Sequence, residues 1–123
     1  MEYVKSFRDL EVYKLTREVS KKVFVLSRKF PREEQYSLTD QMRRSSRSVG
    51  AQIAEAWGKR RYELHFISKL TDADGEQLET QHWLEVAEEA CGAAGDSDDP
   101  AHQAEAPGLA PVPVPQLKVV TRL

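Results

Sequence analysis

The side chains best suited to chemistry in this sequence are six cations on and just after one predicted helix. They are Arg43, Arg44, Arg47, Lys59, Arg60 and Arg61. Such groups bind phosphates through charge-assisted hydrogen bonds, so the pattern predicts a basic surface for RNA or DNA. The alternative is internal neutralisation, with the arginines paired to the acidic helix that follows and the last three cations capping a helix C-terminus. The acidic candidates are Glu76, Glu79, Glu85 and Glu88.

Patterns for catalysis or metal binding are weak. Glu79 and His82 have the Glu-x-x-His spacing of di-iron bundles, but such sites need two of these motifs and further inward-facing glutamates. The serines in 45–48 lack a nucleophile elbow, and Cys91 lacks the sequence signature of a catalytic thiol. We therefore predict a non-enzymatic protein with no catalytic residue, no metal site and no cofactor.

The first predicted helix begins near Ser6 or Asp9, because either side chain can accept hydrogen bonds from the N–H groups of a first turn. Apolar residues then follow at steps of three and four, which is typical of a bundle seam. They are Val12, Leu15, Val19, Val23, Leu26 and Phe30. Pro31 ends this helix, because proline disfavours helical geometry in the residue before it.

The second predicted helix, capped by Ser37 or Thr39, carries the arginines and an apolar stripe at helical spacing. The stripe consists of Leu38, Met42, Ser45, Val49, Ile53 and Ala56. The face of this helix opposite the stripe also holds small residues, which would let a second backbone approach closely. We predict that this face is an oligomer interface, formed by Gly50, Ala51 and Ala54.

A third, long helix is predicted from Tyr62 to Cys91, with Gly75 as its weak point. The residues predicted along or beside its buried side are Phe66, Ile67, Leu70, Ala73, Gln77, Leu84, Ala87 and Cys91. These three helices form one predicted domain, residues 1–92. The remainder, 93–123, is a Pro-, Ala- and Asp-rich tail whose composition predicts a disordered or extended chain.

Charge is distributed unevenly along the 123 residues. Residues 1–62 hold 15 Lys and Arg against 8 Asp and Glu, a net charge of +7, whereas residues 63–123 hold 3 against 12, a net charge of −9.

The single cysteine excludes an internal disulfide, the N-terminus lacks the apolar core of a secretion signal, and no apolar run is long enough to span a bilayer. We therefore predict a cytoplasmic protein without a membrane partner.

Five short segments, in order and at consistent spacing, resemble one known family. They are Phe7–Tyr13, Phe30-Pro31, Leu38–Ser45, Ile53–Gly58 and Leu78–Gln81. The chain resembles the four-helix-bundle proteins encoded by intervening sequences of bacterial 23S ribosomal RNA genes, which are related in fold to retroelement accessory variability proteins. The resemblance implies an all-α, antiparallel up-down bundle of the four-helix type that assembles into a homo-oligomer, a pentamer in relatives. In the retroelement proteins, a basic pentamer binds nucleic acid and a reverse transcriptase.

Two departures from the family pattern stand out. Gly50-Ala51-Gln52 replaces the usual Pro-Ala-Asn, which keeps small residues at the same place. The irregular Pro-rich tail stands where a fourth helix is expected, so this chain has either lost that helix or changed its reading frame.

The leading hypothesis is a self-assembling protein that binds RNA or DNA through the second helix. The alternative is a protein-interaction or scaffold module, with another protein as its partner and its charges neutralised internally.

Overall fold

The computed structural model describes the backbone of residues 4–92 and the side chains of residues 4–90. Within this range the fold is all-helical, as predicted, with three α-helices and no strand. Helix α1 spans Glu11–Ser27, α2 spans Asp40–Gly58 and α3 spans Glu63–Ala87. The predicted tail, 93–123, lies outside the described residues. None of the described helices has both the length and the apolar character needed to cross a membrane.

The start of α1 differs from the prediction. The Ser6 hydroxyl accepts a hydrogen bond from the Arg8 backbone N–H at 3.2 Å, but it caps a separate 3-10 turn, Phe7–Asp9. Leu10 then adopts an extended backbone, and α1 begins at Glu11 without a side-chain cap. The first helix was predicted to begin near Ser6 or Asp9; Ser6 does cap a helical turn, but neither side chain caps α1, which begins only after the extended Leu10.

Helix α1 ends earlier than the predicted boundary at Pro31, and the connection to α2 is itself partly helical. Helix α1 ends at Ser27, and the N–H of Phe30 donates to the Ser27 carbonyl at 3.2 Å, which tightens the chain before Pro31. A 3-10 turn, Arg32–Glu34, and a π-helical turn, Gln35–Thr39, then lead into α2.

Of the two predicted N-caps of α2, Thr39 does occupy the N-cap position, but neither side chain makes a capping hydrogen bond to the start of α2. The Ser37 hydroxyl donates to the Glu34 carboxylate at 2.7 Å, and Thr39 is itself helical and buried. Because the π-helical turn already gives the Asp40 N–H a carbonyl partner at Gln35, the α2 start needs no side-chain cap.

Two apolar clusters hold the helices together, and each takes residues from α1, α2 and α3. The first contains Val19, Val23, Leu38, Met42 and Ala87, and the second contains Val12, Val49, Ile53 and Ala73. Helix α2 packs against both α1 and α3. All six residues of its predicted stripe are buried, as predicted. Full burial of a side chain such as Met42 stabilises the fold by about 1.5–3 kcal/mol.

A polar contact lies between the two apolar clusters. The Thr80 hydroxyl lies 2.9 Å from the Ser45 hydroxyl and 2.9 Å from the Glu76 carbonyl, and Ser45 donates to the Met42 carbonyl at 3.2 Å. Both hydroxyl groups belong to fully buried residues. A buried polar group is tolerated when it is hydrogen-bonded, so this pair fixes α2 and α3 at one relative position along their axes.

Helix α3 buries one side and exposes apolar residues on the other. Ala73, Gln77 and Ala87 are buried as predicted, and Phe66, Leu70 and Leu84 are half-buried. The prediction for Ile67 was wrong, since 49% of this residue is exposed; Leu64 and Leu78 are 83% and 54% exposed. Their spacing places Leu64, Ile67 and Leu78 on one side of the helix, and we call these three residues the α3 stripe.

Candidate nucleic-acid interface

The contact between α1 and α2 holds Arg43 in a fixed position. Its Nε donates a hydrogen bond to the Ser27 hydroxyl at 2.7 Å, and that hydroxyl donates to the Phe24 carbonyl at 3.0 Å. The guanidinium carbon of Arg43 lies 4.5 Å from the centre of the Phe24 ring. A cation over an aromatic face is stabilised by the ring quadrupole, so the ring and the hydroxyl together orient this half-buried arginine.

Two more arginines surround the same ring. The guanidinium carbons of Arg28 and Arg47 lie 5.3 and 5.8 Å from the Phe24 ring centre. Phe24 and Arg28 are four residues apart at the end of α1, and Arg43 and Arg47 are four residues apart on α2. Each helix thus presents two residues of one face to the other. We call Arg28, Arg43 and Arg47 around Phe24 the arginine cluster.

The arginine cluster lacks carboxylate partners within the described side chains. The ion pairs found there involve other cations, namely Lys14, Arg44 and Lys69. Arg28 and Arg47 are exposed. Positive charge is therefore concentrated and accessible at this contact between α1 and α2.

Arg44 behaves differently from its neighbours. It faces α3, where it forms ion pairs with Glu76, at 3.4 Å, and with Glu79. Burial acts to lower the pKa of Arg44, but the hydrogen bonds and negative charges of Glu79 and Glu76 outweigh it and raise that pKa. Arg44 thus has the internal carboxylate partners that the alternative interpretation of the sequence proposed.

The cations predicted at the end of α2 are all exposed. Arg60 donates to the Trp57 carbonyl at 2.9 Å, and its guanidinium carbon lies 4.2 Å from the centre of the Trp57 ring. Its contact with the last turn of α2 is the capping interaction that the sequence offered as an alternative. Lys59 and Arg61 also lie beyond the last residue of α2, and no described carboxylate pairs with either side chain.

One residue of the predicted small-residue face packs against another helix of the same chain. Gly50 is buried against α1, where a Cβ atom would lie 3.0 Å from the Thr16 hydroxyl oxygen and 3.7 Å from the Tyr13 ring. Ala51 is exposed and Ala54 is half-buried. The close approach of a second helix at Gly50 is thus made by α1 of the same chain, while Ala51 stays at the surface.

The weak metal and nucleophile candidates have structural partners. The Glu79 carboxylate pairs with Arg44, and the exposed His82 ring lies edge-on to Trp83, with ring centres 4.8 Å apart. Ser45 and Ser46 are buried and donate to backbone carbonyls. Across the residues that the structure describes, no three His, Cys, Asp or Glu residues form a metal-binding group.

Phe24 and Arg28 were not among the residues predicted for this interface. Both lie off the buried seam of α1, so the apolar pattern that identified the core did not include them. The available signal was the pair of i, i+4 spacings, Phe24 with Arg28 and Arg43 with Arg47. Sequence alone could not show that the two pairs face each other, because this depends on how α1 rotates against α2.

The fold and its surface define a small helical protein with exposed arginines where its first two helices meet. The chain belongs to the family of the 23S rRNA-intervening sequence protein, whose family model matches residues 8–96. This match confirms the resemblance drawn from the five short segments. No curated protein and no solved structure matches the chain significantly.

Proposed function

We propose that this protein is a non-enzymatic, self-assembling helical bundle that binds RNA or DNA in the cytoplasm. The contacts come from Arg43 and Arg47 of the arginine cluster and from Lys59, Arg60 and Arg61. The observation that carries the proposal is the arginine cluster itself: three cations share one aromatic ring and have no carboxylate partner among the described side chains.

The contrast with Arg44 supports this assignment. The acidic α3 neutralises the arginine that faces it, but the two arginines on either side of Arg44 in sequence face α1 instead. Internal pairing therefore accounts for one of the three arginines of α2. The other two remain available for an external anion, and phosphate groups are the anions that arginine binds with the best geometry.

The length of α2 sets an expectation for the ligand. Arg47 and Lys59 are separated by most of the helix, and at 1.5 Å per residue this is roughly 18 Å. A stacked strand with the duplex rise of about 3.4 Å per nucleotide covers that distance in about five steps. A mononucleotide cannot contact both sets of cations, so affinity should rise with oligonucleotide length up to about six nucleotides.

Self-assembly is supported by α3. Its apolar residues lie on two opposite sides, and the α3 stripe is exposed in the single chain. A helix that is apolar on both sides is normally covered on both. We propose that the bundle is completed as the antiparallel four-helix type and that copies associate into a homo-oligomer, with a pentamer expected from the family resemblance.

The α3 stripe also supports a second candidate function, a protein-interaction or scaffold module. In that case another protein would cover Leu64, Ile67 and Leu78, and the cations would serve only solubility and internal pairing. Arg44, with its two glutamates, already fits this description.

Fluorescence anisotropy with structured RNA, single-stranded DNA and duplex DNA separates the two functions. Between about 50 and 200 mM salt, affinity of the wild type for at least one of these ligands should fall steeply, because bound counterions are released. Replacing Lys59, Arg60 and Arg61 together by Gln should flatten this dependence. No binding by the wild type at low salt would favour the protein-interaction module.

A further inference from the structure

We propose that the arginine cluster is a defined phosphate-binding site formed jointly by α1 and α2, with Arg28 as an essential member. The chemistry it would recognise is a tetrahedral phosphate group, whether within a nucleic-acid strand or at its 5′ end. Where the phosphate belongs to nucleic acid, the inference rests on the proposed function, and it adds a site, its residues and its ligand chemistry.

The positions of the three cations indicate a site rather than a scattered basic surface. The guanidinium carbons of Arg43, Arg28 and Arg47 lie 4.5, 5.3 and 5.8 Å from a single point, the Phe24 ring centre. Any two of these carbons therefore lie no more than about 11 Å apart, a range over which like charges repel, and a bound anion would offset that repulsion. Within the described side chains no carboxylate fulfils this role.

The arginines are also held in a way that suits phosphate. Arg43 uses its Nε for the 2.7 Å hydrogen bond to Ser27, and its two terminal nitrogens have no hydrogen-bond partner among the described residues. A guanidinium lying over an aromatic ring can still donate from its edge to two phosphate oxygens at once. Because Ser27 and Phe24 fix the side chain beforehand, less conformational entropy is lost on binding.

The site needs both helices. Arg28 follows the last residue of α1, and Arg43 and Arg47 belong to α2. A phosphate bound among them would link the two helices and should therefore stabilise the folded protein. This effect provides a test that does not depend on nucleic acid.

The experiment measures the thermal midpoint of the full-length protein with sodium phosphate or sodium chloride at equal ionic strength. Phosphate should raise the midpoint of the wild type above its value in chloride, and this rise should be smaller in Arg28→Gln, where only the general stabilisation by an excluded anion remains. Arg44→Gln is the matched control, because Arg44 lies on the same helix but is paired with glutamates, and it should keep the full rise. Arg28→Lys should show an intermediate rise, because lysine keeps the charge but cannot donate two parallel hydrogen bonds.

A second arm compares one oligonucleotide with and without a 5′ phosphate. A several-fold preference for the phosphorylated form, lost in Arg28→Gln, would place a terminal phosphate in the site. Equal affinities that both fall in Arg28→Gln would place an internal phosphate there.

The outcomes separate this inference from the proposed function. If the wild type binds nucleic acid but Arg28→Gln matches it in every measurement, the phosphate site is wrong and the proposed function stands. If phosphate stabilises the wild type through Arg28 while no nucleic acid binds, the site stands and the proposed function fails. Equal midpoints in phosphate and chloride, with unchanged nucleic-acid affinity in Arg28→Gln, would overturn the site.

Discussion

Two glycines in helices allow the packing of α1 against α2 to be measured. Gly50 is buried, and a Cβ atom there would lie 3.0 Å from the Thr16 hydroxyl oxygen. That oxygen is held in place by a 2.7 Å hydrogen bond to the Tyr13 carbonyl. At Gly75, by contrast, a Cβ atom would have no neighbour within 4 Å. The same substitution, glycine to alanine, therefore meets a crowded site in α2 and an open one in α3.

The expected magnitudes follow from two terms. Alanine is favoured over glycine inside a helix by about 1 kcal/mol, so Gly75→Ala should raise the free energy of unfolding by about that amount. Gly50→Ala gains the same helix-propensity free energy, but its methyl group crowds the packed contact with α1. Crowding of this kind typically costs about 1–3 kcal/mol. Gly50→Ala should thus range from neutral to destabilising by about 2 kcal/mol, and the two variants should differ by about 1–3 kcal/mol.

Chemical denaturation followed by circular dichroism measures both values at one protein concentration. Thr16→Ala is the control background, because it removes the atom that crowds position 50, and Gly50→Ala should be less costly there than in the wild type. If Gly50→Ala stabilises the protein as much as Gly75→Ala, the close approach of α1 to Gly50 is wrong. If Gly50→Ala lowers the free energy of unfolding equally in the wild type and in Thr16→Ala, the Thr16 hydroxyl is not the group that crowds position 50.

Three further substitutions, the first with a matched control, test other contacts. Thr80→Val should lower the free energy of unfolding by about 0.5–2 kcal/mol because the hydrogen bond to buried Ser45 is lost, whereas Thr71→Val, at an exposed site, should change it by less. Arg44→Gln should cost at most about 1 kcal/mol in denaturation at low salt and less at high salt, because exposed ion pairs are weak and screened. Leu78→Glu should lower the mass measured by light scattering, because a charge in the α3 stripe opposes association; an unchanged oligomer would remove the stripe from the interface.

Much of the fold could be predicted from the sequence because apolar periodicity reports directly which side of a helix is buried. The stripe from Leu38 to Ala56 and the seam of α1 through Val19 and Val23 both contribute to the core. The helix starts could not be predicted as well. Ser37 and Thr39 are good capping residues, but the backbone is already helical when it reaches Asp40.

The site could be predicted only in part, for a physical reason. Arg43, Arg44 and Arg47 are not members of the apolar stripe, and a helical wheel shows the direction of a side chain but not the neighbour that lies there. Arg44 meets α3 and its glutamates, whereas Arg43 and Arg47 meet Phe24 of α1. Ile67 illustrates the same limitation of a helical wheel. Its apolar side chain was predicted to be buried, but it lies on the side of α3 that faces away from α2 and α1.

We propose that the arginines facing α1 bind phosphate groups and that the arginine facing α3 does not. The most direct test measures the salt dependence of nucleic-acid affinity for the wild type, for Arg43→Gln combined with Arg47→Gln, and for Arg44→Gln. Losing two phosphate contacts should reduce the slope of log affinity against log salt by about 1.4–1.8, while Arg44→Gln should leave the slope unchanged. Equal slopes for all three proteins, or a larger loss in Arg44→Gln than in the double variant, would contradict the claim.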